Sequence, residues 1–144
     1  MKISFRNIAI LLGVLCLVFF SSGCANNTEK FAEISNGFAK NINQLSKDPG
    51  IIKTGFASNP DKKLFKVGIG LDRSKITDEH LKEVIITYLK DSASFVSEQD
   101  YISMFEPYNL QIEELSKDGT SPKLIAQKLA GSNEIEWENI DLAQ

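Results

Sequence analysis

The 144-residue chain has few of the residues that usually mark a chemical site. It has two cysteines, Cys16 and Cys24, and no cysteine follows Cys24 in the remaining 120 residues. Beyond that point the sequence therefore excludes an internal disulfide and leaves no cysteine to act as a metal ligand or nucleophile. The chain also has a single histidine, His80. These shortages predict a domain without a metal centre, stabilised by packing alone.

Two stretches begin like ligand-binding loops, but each lacks residues that such a loop requires. Gly68-Ile69-Gly70 has the first two glycines of a dinucleotide loop, but Arg73 occupies the position of the third. The span from Asp72 to Glu83 has acids at both ends of a twelve-residue calcium loop. Its fifth and sixth residues, Ile76 and Thr77, replace a required oxygen ligand and a required glycine. The sequence predicts no cofactor and no metal ion.

An excess of positive charge is also missing. The formal net charge is −3, from 16 Lys and Arg against 19 Asp and Glu. Lys2 and Arg6 both lie in residues 1–23, so loss of that segment would move the charge to −5. Nucleic-acid-binding domains usually present a basic patch, and this balance argues against one. We therefore expect no nucleic-acid partner and no binding to anionic lipid through the protein surface.

The chain has no apolar run of about 20 residues, the length that a membrane-spanning helix needs. Its longest run, Ile8 to Phe20, has thirteen residues and follows the basic Lys2 and Arg6. A basic start, a short apolar stretch and small residues are typical of an export signal. The small residues Ser21, Ser22 and Gly23 are followed directly by Cys24.

This N-terminal segment, residues 1–24, resembles the lipobox signal of bacterial lipoproteins. The resemblance implies cleavage between Gly23 and Cys24 and attachment of a diacylglyceryl group and palmitate-type acyl chains to Cys24. Two acyl chains satisfy the condition for stable membrane anchoring. The resemblance places the mature chain at the extracytoplasmic face of the cell membrane. A cleaved signal with an incidental cysteine and an uncleaved anchor are the alternatives, and the short run argues against the second.

We therefore expect three segments: a signal peptide (1–23), a lipidated cysteine with a short tether (24–27) and one extracytoplasmic α+β domain (28–144). Hydrophobic periodicity predicts about four strands packed against an N-terminal amphipathic helix and further helices. The predicted elements are a helix capped by Thr28, a hairpin of strands 51–57 and 63–72, a helix capped by Thr77, a short helix opened by Ser97, a strand over 108–115, a helix starting at Ser121-Pro122, and a last strand over 134–142.

The last predicted strand alternates sharply between apolar and acidic side chains. Ile135 and Trp137 fall on one side, and Glu134, Glu136 and Glu138 fall on the other. Three like charges on one strand face must be solvated or must meet cations, and charge on an edge strand also prevents unwanted pairing. A second interpretation is that Trp137 and the three glutamates form a contact surface for a partner.

The sequence leaves three classes of function open, and we expect the first. A non-enzymatic lipoprotein would bind a protein partner or ligand at the envelope. An inhibitor or immunity-type lipoprotein would act on an extracytoplasmic enzyme or toxin. An accessory enzyme of the cell envelope would need converging carboxylates, and Glu113 and Glu114 do not qualify because adjacent strand residues point to opposite faces. His80 is expected on the solvent side of its helix, without a catalytic role.

Overall fold

The computed structural model describes residues 23–96, 100–116 and 118–138, with side chains from Thr28 onward. The chain divides into two compact units, Met1–Ala32 and Glu33–Gln144, and the boundary falls inside the first helix. The helices are α1 (Gly23–Leu45), α2 (Asp78–Ala93) and α3 (Tyr101–Phe105). The strands are β1 (Ile51–Asn59), β2 (Leu64–Leu71), β3 (Asn109–Glu114), β4 (Lys123–Lys128) and β5 (Glu136–Trp137). The expected α+β class, a small sheet packed against helices, is confirmed.

The sheet has five strands in the order β1-β2-β3-β4-β5, one more than expected. β2 and β3 are parallel, and every other neighbouring pair is antiparallel. The expected hairpin is confirmed as β1 and β2, joined by a turn at Pro60 in which the Lys62 N–H donates to Asn59 Oδ1 at 3.0 Å. β1 and β5 form the two edges of the sheet, so their outer backbone groups have no neighbouring strand within the described ranges.

The helix expected from Ser121-Pro122 is wrong, because Lys123–Lys128 is strand β4. Its spacing of apolar residues fits a helix, but six residues are too few to distinguish the two periods. The segment instead pairs with β3 on one side and with β5 on the other. Leu129, expected to face inward, is 53% exposed just after the strand ends.

The core lies between the sheet and α1 and α2. Strand β2 shows the predicted alternation, with Phe65, Val67, Ile69 and Leu71 all buried. From α1, the fully buried Phe38 ring lies 5.1 Å from Phe56, 5.4 Å from Phe65 and 5.2 Å from Phe105, measured between centroids. Aromatic rings at such separations add to the free energy that area burial alone contributes. One side chain of α1 thus connects the helix with two strands and α3.

Helices α1 and α2 approach each other closely at Gly37. A Cβ built on Gly37 would lie 2.5 Å from the Ser92 carbonyl oxygen, so only glycine fits at this contact. The Tyr88 hydroxyl donates to the Phe38 carbonyl at 3.0 Å across the same pair of helices. Burial raises the pKa of this tyrosine well above its usual range. The glycine that lowers helix propensity in α1 is therefore required for packing.

The helix starts differ from expectation in two of three cases. α1 begins at Gly23, so Thr28 lies within the helix rather than at its cap, and residues 24–27 of the expected tether are helical. Thr77 caps α2 as predicted, accepting a hydrogen bond from the His80 N–H. Asp100 caps α3, whereas the expected cap, Ser97, lies outside the described residues. No helix within the described ranges has both the length and the apolarity needed to cross a membrane.

Candidate functional site

The acidic strand at the sheet edge has the side-chain arrangement that its alternation predicts. β5 pairs with β4, and the Glu138 N–H donates to the Ile125 carbonyl at 3.0 Å, which continues the pairing past Trp137. Glu134, Glu136 and Glu138 are all exposed, whereas Trp137 is half-buried. We call Glu134, Glu136, Trp137 and Glu138 the acidic edge. The predicted residues 139–142 of this strand lie outside the described residues.

The glutamates of the acidic edge are not neutralised within the part of the chain that the structure describes. None of the three forms an ion pair there, and Glu136 accepts one hydrogen bond, from Gln127 Nε2 at 3.0 Å. The only nearby cation lies on the other side of the strand, where Lys82 Nζ stands 5.7 Å from the Trp137 ring centroid. This contact ties the indole to α2 and leaves the glutamates to solvent. Sequence reasoning found this surface because a strand alternates between its two faces.

A groove at the C-terminal end of α1 brings together residues that the sequence did not connect. His80 Nε2 lies 2.7 Å from Asp48 Oδ2, and His80 Nδ1 lies 3.7 Å from Glu83 Oε2. The other oxygen of Asp48 accepts the Gly50 N–H at 2.8 Å, which fixes the orientation of the carboxylate. The groove has a volume of about 400 Å³, and its remaining lining residues include Leu45, Pro49, Val84, Thr87 and Tyr88.

This carboxylate–histidine pair resembles part of a hydrolytic triad, but the described residues do not complete one. Both ring nitrogens of His80 face carboxylates, so neither is directed at a hydroxyl. The hydroxyl that lines the groove belongs to Thr87, seven residues further along α2, which places it about 10 Å along the helix axis. A base must lie within hydrogen-bond reach of the nucleophile that it activates. The pair instead joins the turn after α1 to the first turns of α2.

Glu113 and Glu114 diverge as expected, and each carboxylate has its own cation. Lys66 Nζ lies 2.7 Å from Glu113 Oε1. Glu114 binds Arg73, which also reaches Asp78 Oδ1 at 2.8 Å in the first turn of α2. Burial opposes the charge of the guanidinium, but Glu114 and Asp78 outweigh it and raise the pKa of Arg73. These pairs connect the sheet to α2 and leave no free acid and base pair at this position.

Lys128 is a buried cation that the sequence prediction only partly anticipated. Its aliphatic stem was expected to face inward, but the whole side chain is buried, at 1% exposure. Its Nζ donates to the carbonyls of Phe105 at 2.7 Å and Leu129 at 3.1 Å, with Glu106 and Tyr108 at 3.4 Å. Burial lowers the pKa of this lysine, partly offset by the charge of Glu106. The ammonium supplies donors to carbonyls that the short α3 leaves unpaired at its end.

Gly23 and Cys24, the expected cleavage and lipidation residues, are the first residues of α1, where the structure describes the backbone alone. The signal peptide up to residue 22 lies outside the described residues. Cys24 and the acidic edge belong to different compact units. In the described ranges, no three His, Cys, Asp or Glu side chains are grouped so that they could hold a metal ion.

Comparisons with known proteins give no relative from which a function could be transferred. No family model matches the chain, no curated protein matches it, and no solved structure matches it. The acidic edge and the groove at His80 are thus defined by this chain alone.

Proposed function

We propose that this chain is a membrane-anchored bacterial lipoprotein whose extracytoplasmic domain binds a protein partner without catalysing a reaction. The anchor rests on the N-terminal sequence, in which a short apolar run ends in small residues and Cys24. The binding role rests on the acidic edge. Its three glutamates are exposed and unpaired by any described cation, and they flank the only tryptophan of the chain.

The chemistry of the acidic edge defines the partner that it would bind. Glu134, Glu136 and Glu138 share one face of an extended segment, so their carboxylates repeat at about 7 Å intervals. A complementary surface would present lysines or arginines at a matching spacing, and such pairing would raise the association rate and select against acidic proteins. Trp137 adds a large, partly exposed ring of the type that often dominates interface energetics. We therefore expect a partner with a basic contact surface.

Charge-matched variants test the binding role in the native membrane. A photoreactive residue placed at Gln127, beside Glu136, should crosslink one predominant protein in vivo. Replacing Glu134, Glu136 and Glu138 by glutamine should remove most of that crosslink. A control with Glu33→Gln, Asp61→Asn and Glu79→Gln loses the same charge at other exposed positions and should keep it. Equal crosslinking in both sets of variants would show that the acidic edge is not the contact.

A separate variant tests the anchor. Cys24→Ala should abolish metabolic labelling with a radioactive fatty acid and should prevent stable membrane retention of the processed chain. Cys16→Ala, within the expected signal, should leave acyl labelling unchanged. If the Cys24→Ala chain is still labelled or is processed and retained as before, the lipid anchor is refuted, whatever the partner experiment shows.

A further inference from the structure

The two edges of the sheet differ in how they are protected against pairing with another chain. β5 is two residues long and lies among three exposed glutamates. β1 is nine residues long, contains no proline and carries one charged residue, Lys53. Natural edge strands usually avoid pairing through short length, charge, proline or bulges. β1 has only a bulge near its start, between Ile51 and Lys53.

The hydrogen bonds of β2 show which backbone groups of β1 are free. The Leu115 N–H donates to the Ile69 carbonyl, and the Asn109 N–H donates to the Lys63 carbonyl, both at 2.8 Å. Odd-numbered residues of β2 therefore bond to β3, and even-numbered residues bond to β1. The β1 residues opposite them are Lys53, Gly55 and Ala57. It follows that the N–H and C=O groups of Thr54, Phe56 and Ser58 point away from the sheet.

We propose that β1 pairs antiparallel with β1 of a second copy of this chain, about a twofold axis at Gly55. Gly55 is the central residue of Ile51–Asn59. A twofold axis there places Thr54 opposite Phe56 of the other copy, so the free backbone groups of both residues meet as a hydrogen-bonded pair. Ile52 then lies opposite Ser58 of the other copy, and no proline enters the paired region.

The side chains on both faces of the proposed seam are compatible with this register. Lys53, the only charge on β1, lies opposite Ala57 of the other copy, so no like charges meet directly. At the axis itself, a Cβ on Gly55 would have no heavy atom within 4 Å, so the centre of the seam is open in one copy. On the helix side, the half-buried Phe56 rings of the two copies are diagonal neighbours, within reach of each other.

The size of the seam predicts weak association. A nine-residue strand is about 30 Å long and a sheet is about 10 Å thick, so pairing would bury roughly 600 Å² in total. Stable interfaces bury about 1,200–2,000 Å². Main-chain hydrogen bonds and register, rather than apolar area, would therefore hold the two copies together. The appropriate test detects a weak dimer without requiring it to survive purification.

Cysteine crosslinking of the full chain in its own membrane tests both the contact and its register. Gly55→Cys should form a disulfide-linked dimer on mild oxidation, well above the background of the wild-type chain with its native cysteines. Lys62→Cys, exposed in the adjacent turn, should not exceed that background. Lys53→Cys and Ala57→Cys should each stay at background alone and crosslink when the two variants are expressed together.

Charge substitutions at the axis provide an independent measurement. In detergent, sedimentation equilibrium should show self-association of the wild-type chain, weakened on the order of tenfold in Gly55→Lys and in Gly55→Glu, because identical charges then face each other. Mixing these two variants should restore association. A monomeric wild-type chain, an unaffected Gly55→Lys variant, or equal crosslinking of Gly55→Cys and Lys62→Cys would overturn the proposal. Capture of a different protein by Gly55→Cys, without a dimer, would also overturn it.

Discussion

Lys128→Met tests the role of the buried ammonium, because methionine retains much of the aliphatic stem and removes the charge. Lysine donates to the carbonyls of Phe105 at 2.7 Å and Leu129 at 3.1 Å. A hydrogen bond from a charged group contributes about 1.5–3 kcal/mol net, so these two bonds represent roughly 3–6 kcal/mol. Relief of the desolvation cost of a buried charge offsets part of the loss. We expect the free energy of unfolding to fall by about 3 kcal/mol.

A loss of this size is a large fraction of the 5–15 kcal/mol that stabilises a typical domain, and it corresponds to a fall of roughly 10 °C in Tm. Urea denaturation followed by the fluorescence of Trp137 and by circular dichroism would measure it. Gln127→Met is the matched control on the same strand, because it removes only a surface hydrogen bond to Glu136 and should stay within about 0.5 kcal/mol. An unchanged or increased stability of Lys128→Met would show that desolvation of the ammonium outweighs its hydrogen bonds.

Two further predictions concern helix packing and acid stability. Gly37→Ala should destabilise the domain although alanine favours helix by about 1 kcal/mol, because its Cβ would lie 2.5 Å from the Ser92 carbonyl oxygen. Gly55→Ala, which meets no atom within 4 Å, is the control, and equal unfolding midpoints in urea would contradict the close contact. Hydrogen bonds from Ser103 and the Ile102 N–H lower the pKa of Asp100. The resulting stabilisation is present above the ordinary value of 3.8 and is lost as pH falls through the lower folded value. Asp100→Asn should weaken this acid dependence in thermal unfolding, and an unchanged profile would refute it.

Elements whose periodicity runs over many residues were predictable from the sequence. Strand β2 and helix α2 each show a pattern long enough to identify their type, and Thr77 marks the start of α2. β4 was not predictable, because its six residues fit either period and their state depends on pairing with β3 and β5. Phe95 fits the apolar stripe of α2 but lies past the helix end and is 55% exposed. A stripe extrapolated beyond a helix end loses its meaning.

The acidic edge was predictable because its residues are consecutive, whereas the groove at His80 was not. Asp48 and His80 are separated by 32 residues, and only the packing of α1 against α2 brings their side chains to 2.7 Å. Nothing in the sequence couples a carboxylate after one helix to a histidine at the start of another. The same limit applies to Lys128, since its acceptors are backbone carbonyls that every residue possesses. Local patterns predict faces of elements, and contacts between elements require the fold.

The locations of the two proposed surfaces, at opposite edges of one sheet, determine whether they can work together. A dimer paired through β1 would leave the acidic edge of each copy at the far ends of the joined sheet, so two partners or a bivalent partner could bind. Pairing of β5 from one copy with β1 of the next would instead cover the acidic edge. The three glutamate substitutions distinguish these arrangements. They should leave the Gly55→Cys crosslink unchanged in the twofold dimer, and they should alter any association in which β5 itself is paired.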